Sequence, residues 1–590
     1  MQKKFTIHKM LKVVSKTSFA IGTVSFFLAV FELGFPYENT WENLVFIFFN
    51  LTLFTGFLSI LFRTVSKTNA YGIVGLITDW IFIFILFYAI VFNTVRYFKT
   101  GSVFEWNNMW TYIGLFIVFF REIYNIRFRF RNKAFNPATI FIISFLATIF
   151  IGSLLLMLPN ASNDDITYVD ALFTSTSAVC VTGLAVQNTG VFFTRFGQVV
   201  IMLLIQVGGL GIMTFTNYFS RFFTGQASFK SQVLIAETTA IDKFDDAFRT
   251  LRNIILVTFS IEAIGTLTLF LSASSTIIPK YGERLFFSLF HSVSSFCNAG
   301  FSTLPNNLYE EAFRFNYSVL LSIAFLIILG GIGFPILFNS LQFLRYKTKS
   351  FIEKFLLEKR DIYKSGMLSL NTKIILTTTS VLLISGTIIL FFLEYNNTLA
   401  EHNTLWGKFV TSFFGAVTPR TAGFNSVNTA EMLLPATLFT ILLMWIGASP
   451  ASTGGGIKTS TFAIAVINVA NLIRGRRNNV FGREINQATM NRAFAIIFLS
   501  LFVIGTSAFI ILLIEPQQKV INVFFEVFSA YGTVGLSRGI TSTLADASKI
   551  VLVITMFLGR VTMFTILMAF FRRATSVSYY HLPKEDLLLN

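Results

Sequence analysis

Long apolar stretches separated by short polar segments run the length of this chain of 590 residues. They centre near 18–34, 43–62, 73–93, 107–120, 138–158, 198–219, 253–273, 317–344, 374–393, 433–448 continuing to 462–473, 493–514 and 550–571. About 20 apolar residues cross a bilayer as a helix, so the pattern predicts twelve spans, one of them broken. The cleanest, Ala138 to Leu158, has no charge and is opened by Pro137, a residue tolerated at a helix start. Four amphipathic runs of about ten residues, near 168–178, 285–296, 408–417 and 521–530, are too short to cross. Each ends in a small, glycine-containing segment: Cys180-Val181-Thr182-Gly183, Cys297-Asn298-Ala299-Gly300, Arg420-Thr421-Ala422-Gly423 and Gly532-Thr533-Val534-Gly535. The glycines are 117, 123 and 112 residues apart. That even period predicts four copies of span, short helix, glycine segment and span, and parallel repeats of this kind are a transporter design.

The expected fold class is therefore an all-α membrane protein. Four pore repeats in pseudo-fourfold arrangement enclose one ion pathway, preceded by four extra helices. The expected divisions are 1–134 for the extra helices, then 135–223, 224–347, 348–476 (with the broken second span) and 477–590 for the repeats and tail.

Composition narrows the function. Hydrophobic residues make up 54% and charged residues 13%, where a soluble domain carries about 25% charge. A disordered chain, a nucleic-acid-binding domain and a cytosolic enzyme are excluded, and the lipid bilayer is the expected surroundings. The net charge of +17 reflects loops rich in Lys and Arg. These are the N-terminus, 121–133, 216–253, 344–365, 474–492 and the C-terminal tail. The positive-inside rule places them, and both termini, in the cytoplasm. The other side is sparse in basic residues and carries Asp164, Asp165, Asp170, Glu310 and Glu311, expected to concentrate cations at an outer mouth. Two cysteines exclude a disulfide framework. The four histidines (His8, His291, His402, His581) form no metal-ligand spacing, and no cleavable signal peptide is expected. A membrane-embedded transferase would need clustered carboxylates, histidines or a metal at one face, and the acidic residues here are scattered.

Non-helical backbone at membrane depth survives where it is buried or lines water. Four such segments around an axis supply carbonyls that replace a cation's hydration shell. Glycine permits the positive φ that aims them. The candidate filter comprises Cys180, Val181, Thr182, Gly183, Cys297, Asn298, Ala299, Gly300, Thr421, Ala422, Gly423, Thr533, Val534 and Gly535. The short helices would point their partly negative C-terminal ends at it. The broken span falls at Gly447 to Lys458, where Pro450 and the run Gly454-Gly455-Gly456 disfavour helix. It resembles a phosphate-binding loop only superficially, since Ile457 precedes Lys458. Arg560 lies about 15 Å from either end of its span, and an ionisable residue there is functional by default. It is expected below the filter, paired with the broken span, as a barrier to cations. Glu262, inside the second unit's first span, is expected either to be a carboxylate hydrogen-bonded within the bundle or to take part in conduction. Arg420 and Glu526 are expected to brace the filter from behind, and Cys180 and Cys297 to serve packing. His291 has no assigned role.

Thr174 to Leu184, Pro419 to Phe424 and Ala530 to Ser537 resemble the pore loops of the TrkH/KtrB/HKT superfamily of potassium transporters. Gln206 to Thr214, Ser449 to Thr459 and Gly559-Arg560 resemble further signatures of that family, over about 135–575. The resemblance implies a homodimeric subunit that moves K⁺, gated by a cytoplasmic nucleotide-binding RCK-type partner. It implies that Gly454, Gly455, Gly456 and Lys458 belong to an intramembrane gate loop working with Arg560. In this family a serine at the first filter glycine goes with Na⁺, so Gly183 implies K⁺. A Na⁺ or mixed pathway on the same scaffold is the alternative. Two departures stand out. The family usually has no or two helices before the repeats, and here four are expected. The chain also has no nucleotide-binding domain, so such a regulator would be a separate chain. Arg127, Arg129 and Arg131 are two residues apart, which suits a membrane-edge anchor better than a helical voltage sensor with arginines three apart.

Overall fold

The structure is a computed structural model and describes residues 2–35, 42–66, 73–100, 109–125, 137–210, 247–275, 277–357, 368–475 and 479–561. The basic stretch 127–133, the loop around 216–246 and the C-terminal tail lie outside them. Among the described residues the chain is nearly all helix, with one small ribbon pairing Asn479–Val480 and Arg483–Glu484.

The first four helices, α1 (Gln2–Gly34), α2 (Glu42–Ser66), α3 (Ile73–Thr100) and α4 (Met109–Asn125), form a bundle around Phe49, Leu53, Ile60, Leu86 and Val118. Its interior also holds paired charges. Arg63 donates to both oxygens of Glu122 at 3.0 Å, and Ser15 and Ser59 donate to the same carboxylate at 2.7 and 2.6 Å. Arg121 donates to Asp79 at 2.5 and 3.0 Å. Glu122 and Asp79 are buried, and charges this deep in a membrane bundle persist only when paired. At the end of α1, Asn160 donates to the Leu33 carbonyl at 3.2 Å and the Leu158 side chain covers Gly34.

Four helix–short helix–helix units follow. They are α5 (Pro137–Leu156), α6 (Tyr168–Val179) and α7 (Arg195–Gly209); α8 (Ala247–Ser272), α9 (Tyr281–Phe296), α10 (Tyr317–Ile332) and α11 (Phe334–Leu357); α12 (Leu370–Glu394), α13 (Leu405–Val417), α14 (Leu434–Trp445) and α15 (Thr459–Ile473); α16 (Gln487–Ile514), α17 (Val520–Gly532) and α18 (Asp546–Val561). Local chemistry sets many of their starts. Thr167, Thr194, Asn316, Ser369, Thr404 and Asn486 each accept from a backbone N–H in the first turn, the usual N-cap bond. The core is rich in phenylalanine: Phe173, Phe290, Phe296, Phe414 and Phe525 of the short helices and Phe301 and Phe424 just after them are all fully buried.

The second helices differ from the expected uninterrupted spans. Six helices in the described residues are long and apolar enough to cross alone, three in the bundle and three at the start of units two to four. The expected span 317–344 is instead bent by 103° between α10 and α11. Gly333 makes the corner with φ +93°, a conformation that glycine adopts without strain. The Phe334 N–H leaves the helix ladder and donates to the Ala451 carbonyl at 3.2 Å. Pro335 has no N–H to return to it.

One acidic residue also moves from its expected place. Asp170 does not face an outer mouth. It lies in the first turn of α6, buried, and accepts from Lys549 of α18 at 2.7 Å. This pair ties the first unit to the fourth. Breaking a buried pair from one side leaves an uncompensated charge and costs about 3–5 kcal/mol. Lys549→Met is therefore expected to unfold at a clearly lower temperature in detergent, and Lys549→Met with Asp170→Leu to recover most of the loss. Equal stability of the single and double variants would contradict this.

Candidate ion-conduction site

The four glycine segments meet end to end. A methyl group built on Gly183 would strike the Ala299 carbonyl and lie 3.2 Å from the Gly300 Cα. On Gly300 it would lie 2.5 Å from the Ala422 oxygen and 3.0 Å from the Gly423 Cα. On Gly423 it would strike the Val534 carbonyl and lie 2.9 Å from the Gly535 Cα. On Gly535 it would strike the Thr182 carbonyl and lie 3.0 Å from the Gly183 Cα, which closes the circuit. Four pieces of main chain thus form a ring in sequence order.

Each piece has the same backbone signature. The glycines have φ of +87°, +72°, +75° and +93°. Two residues earlier, Val181, Asn298, Thr421 and Thr533 have φ of +56°, +61°, +70° and +49°. Three of those are β-branched, for which a positive φ is a true outlier costing about 1–3 kcal/mol each. The short helices hold this strain. Thr182, Ala299 and Val534 donate their N–H to Ser177, Ser294 and Ser529 carbonyls at 2.7, 2.7 and 2.8 Å. In the third segment Ala422 donates to Thr418 at 3.0 Å. Ser177 Oγ and Ser529 Oγ accept from Gly183 and Gly535 at 3.0 Å. In the other two, Ser294 and Thr418 donate instead to the Phe301 and Phe424 carbonyls. Fourfold symmetry is therefore approximate. Each helix also directs its C-terminal end, with its partial negative charge, at the ring.

The side chains around the ring divide by role. Cys180 and Cys297 are buried free thiols. Cys297 Sγ is 3.8 Å from Glu262 and packs on Gly209. Glu262 accepts from Gln206 at 3.0 and 3.2 Å, so it joins the first unit to the second. Glu526 accepts from Ser537 at 2.6 Å, from Thr541 at 2.9 Å and from the Arg538 N–H at 3.0 Å. Arg420 departs from expectation. Among the described residues its guanidinium has no ion-pair or hydrogen-bond partner, and its Nε is buried. The His291 ring nitrogens are satisfied by the Phe287 carbonyl and Ser302 at 2.9 Å.

Beneath the ring lies the break in the third unit, between α14 and α15. Gly454 packs against Thr421, and the Gly455 N–H donates to Thr533 Oγ1 at 3.0 Å. Gly456, with φ +66°, lies against Gly532. Lys458 turns back on its own loop, donating to the Gly454 carbonyl at 2.7 Å. Arg560 is buried and reaches two carbonyls, Thr453 of this loop and Gly208 of α7 at 2.6 Å. The loop also runs along the end of α10, where Ser449 and Thr453 donate to the Gly331 and Gly330 carbonyls at 3.0 and 3.3 Å.

Some site residues are not evident from local pattern. Gly208, Gly330 and Gly559 each sit under a short-helix carbonyl (Val179, Phe296, Tyr531) that any side chain would hit. Their signal is a glycine about 24–30 residues after each filter glycine. Arg538 is another. It spans from the fourth segment to the Thr429 carbonyl and Thr437 Oγ1 at 2.9 Å and to the Ala430 carbonyl at 2.7 Å.

Residues 113–580 match the TrkH family, described as "Cation transport protein". The chain belongs to the TrkH family of cation transport proteins. It is 40% identical over 441 residues to the "Ktr system potassium uptake protein B" of Bacillus subtilis, covering 74% of this chain and 93% of that one. It is 33% identical over 467 residues to the "Potassium/sodium uptake protein NtpJ" of Enterococcus hirae, covering 78% and 98%. The crystal structure of the potassium transporter TrkH from Vibrio parahaemolyticus has the same fold, with a TM-score of 0.60 at 16% identity over 83% of this chain and 97% of that one. The TrkH family is one of multi-pass membrane transporters, not enzymes. The family match begins inside α4, so α1 to α3 lie outside it.

Proposed function

We propose that this chain is the K⁺-translocating subunit of an uptake system of the cytoplasmic membrane, with both termini in the cytoplasm. The observation that carries the reading is the closed ring of four strained glycine segments. Backbone carbonyls in a ring replace the hydration shell of a cation, and four helix ends make the site favourable to positive charge. The relatives named for potassium uptake support K⁺ as the ion. Residues 135–223, 224–347, 348–476 and 477–590 serve as the four pore repeats and 1–134 as an accessory bundle.

The loop carrying Gly454, Gly455, Gly456 and Lys458 acts as the gate below the filter, with Arg560 as its latch. The chain functions as a homodimer, under control of a separate cytoplasmic nucleotide-binding subunit of RCK type. A second reading has support from the Enterococcus relative, named for both potassium and sodium: the same filter passes Na⁺ as well.

The test is flux of K⁺ and Na⁺ into proteoliposomes holding the purified chain, beside Gly183→Ser. Wild type is expected to pass K⁺ well in excess of Na⁺. The serine at a φ of +87°, pressed on the Ala299 carbonyl, is expected to lower total flux and erase the preference. Equal passage of both ions by wild type would select the second reading. A variant that keeps the full preference would remove the ring from the mechanism.

A further inference from the structure

We propose that the buried Arg420 guanidinium holds a monatomic anion, of the halide class, in a cavity behind the filter between the second and third units. The cavity lies where Ile327, Ile328 and Ile332 of α10 face Leu383 and Thr379 of α12, and Arg420 forms part of its wall. Arg420 is buried, 8% exposed, and its guanidinium has no hydrogen-bond or ion-pair partner among the described residues. Thr379, 5% exposed, lines the same space with an unpartnered Oγ1. Two residues with orphaned donors thus line one largely apolar space that no carboxylate lines.

A lone cation at this depth is costly to keep. Arginine does not relieve the cost by losing its proton, because it stays charged in proteins. A small negative ion removes the cost. It takes charge-assisted hydrogen bonds from the guanidinium and one from the threonine hydroxyl. The cavity measures about 10 Å³, the room of a single water-sized sphere. Phosphate, sulfate and carboxylates are too large, and a halide ion, itself wider than water, enters only as the isoleucine side chains lining the space move outward.

Position gives the ion a role. Arg420 directly precedes Thr421, whose Oγ1 hydrogen-bonds the Asn298 side-chain amide at 3.2 Å and whose side chain packs on Gly454. The guanidinium charge therefore lies one residue from the filter and beside the Gly331–Ala448 contact of the gate loop. The bound anion cancels a positive charge that would otherwise oppose a cation in the ring. Arg420 acts here as a positioning residue for the anion, not as an ion ligand of the filter.

The test uses bromide as the probe. The full-length protein is crystallised in sodium bromide and in sodium gluconate, and anomalous scattering is measured at the bromine edge. The expected result is a bromine peak within hydrogen-bond distance of the Arg420 guanidinium, present in wild type and lost in Arg420→Gln. Thr379→Val, which keeps the charge, is expected to reduce the peak occupancy. Thermal unfolding is measured in parallel, with wild type more stable in chloride than in gluconate and Arg420→Gln indifferent to the anion. No bromine peak at Arg420, with equal unfolding temperatures in both salts, overturns the proposal and assigns the cavity to water. If Arg420→Gln does not fold, the wild-type peak and its change in Thr379→Val decide the matter. Neither readout depends on ion flux, so the result stands apart from the transport assignment.

Discussion

Gly423→Ala is expected to lose about two orders of magnitude of K⁺ flux into proteoliposomes while still inserting and folding. Its φ is +75° and a methyl group would strike the Val534 carbonyl and approach the Gly535 Cα to 2.9 Å. Left-handed backbone alone costs an alanine about 1–2 kcal/mol. The steric term is harder to relieve, because Gly535 leans on Gly183, Gly183 on Gly300, and Gly300 on Gly423. A displacement at one corner moves all four. A rise of about 3 kcal/mol in the conduction barrier corresponds to roughly a hundredfold loss of rate. The control is Gly505→Ala in α16, where a methyl group meets nothing within 4 Å and a helix-interior alanine gains about 1 kcal/mol. Normal K⁺ flux through Gly423→Ala, at matched protein density, would mean that the ring is not the conduction path.

Arg560→Gln is expected to raise flux of the isolated chain by about tenfold or more. The guanidinium clamps the Thr453 carbonyl of the loop and the Gly208 carbonyl of α7. Hydrogen bonds to charged groups contribute about 1.5–3 kcal/mol each, and about 1.4 kcal/mol is a tenfold shift in an equilibrium. Losing the clamp frees the loop, and losing the charge lowers the barrier below the filter. Arg560→Lys separates these effects, since it keeps the charge but not the planar fork that reaches two acceptors. A lysine variant as active as glutamine assigns the effect to the clamp, and one as quiet as wild type assigns it to charge. Unchanged or reduced flux in Arg560→Gln, with the protein intact, would end the latch reading.

Much of the ring could be read from the chain. Four glycines at a near-constant interval, each behind a run too short to cross a membrane, mark repeated backbone at membrane depth. The broken third unit was also legible, because Pro450 and three adjacent glycines act locally. What could not be read is what the closure of the ring brings together. Asp170 and Lys549 are 379 residues apart, and no periodicity links the first unit to the last. Asp170 looked like a mouth carboxylate because it stands in an acidic loop segment, yet it is turned inward by its place in the first turn of α6. The bend at Gly333 was hidden because 317–344 is uniformly apolar, and hydropathy does not record direction. Arg420 was expected to find a partner because buried arginines normally do. Its neighbours turned out to be isoleucines from another unit.

The ion pairs of the N-terminal bundle bear on a force not yet considered, the membrane potential. An elementary charge moved through 100 mV gains or loses about 2.3 kcal/mol, which is how charged helices respond to voltage. Within Met109–Asn125, α4 carries Arg121 and Glu122 side by side and no other charged residue. Sliding α4 along the field therefore transports no net charge, and each of the two is separately tethered, to Asp79 and to Arg63. The field has nothing to pull on there. For such a sliding motion α4 is electrically neutral ballast, and a change in potential across the membrane acts on the permeating cation instead.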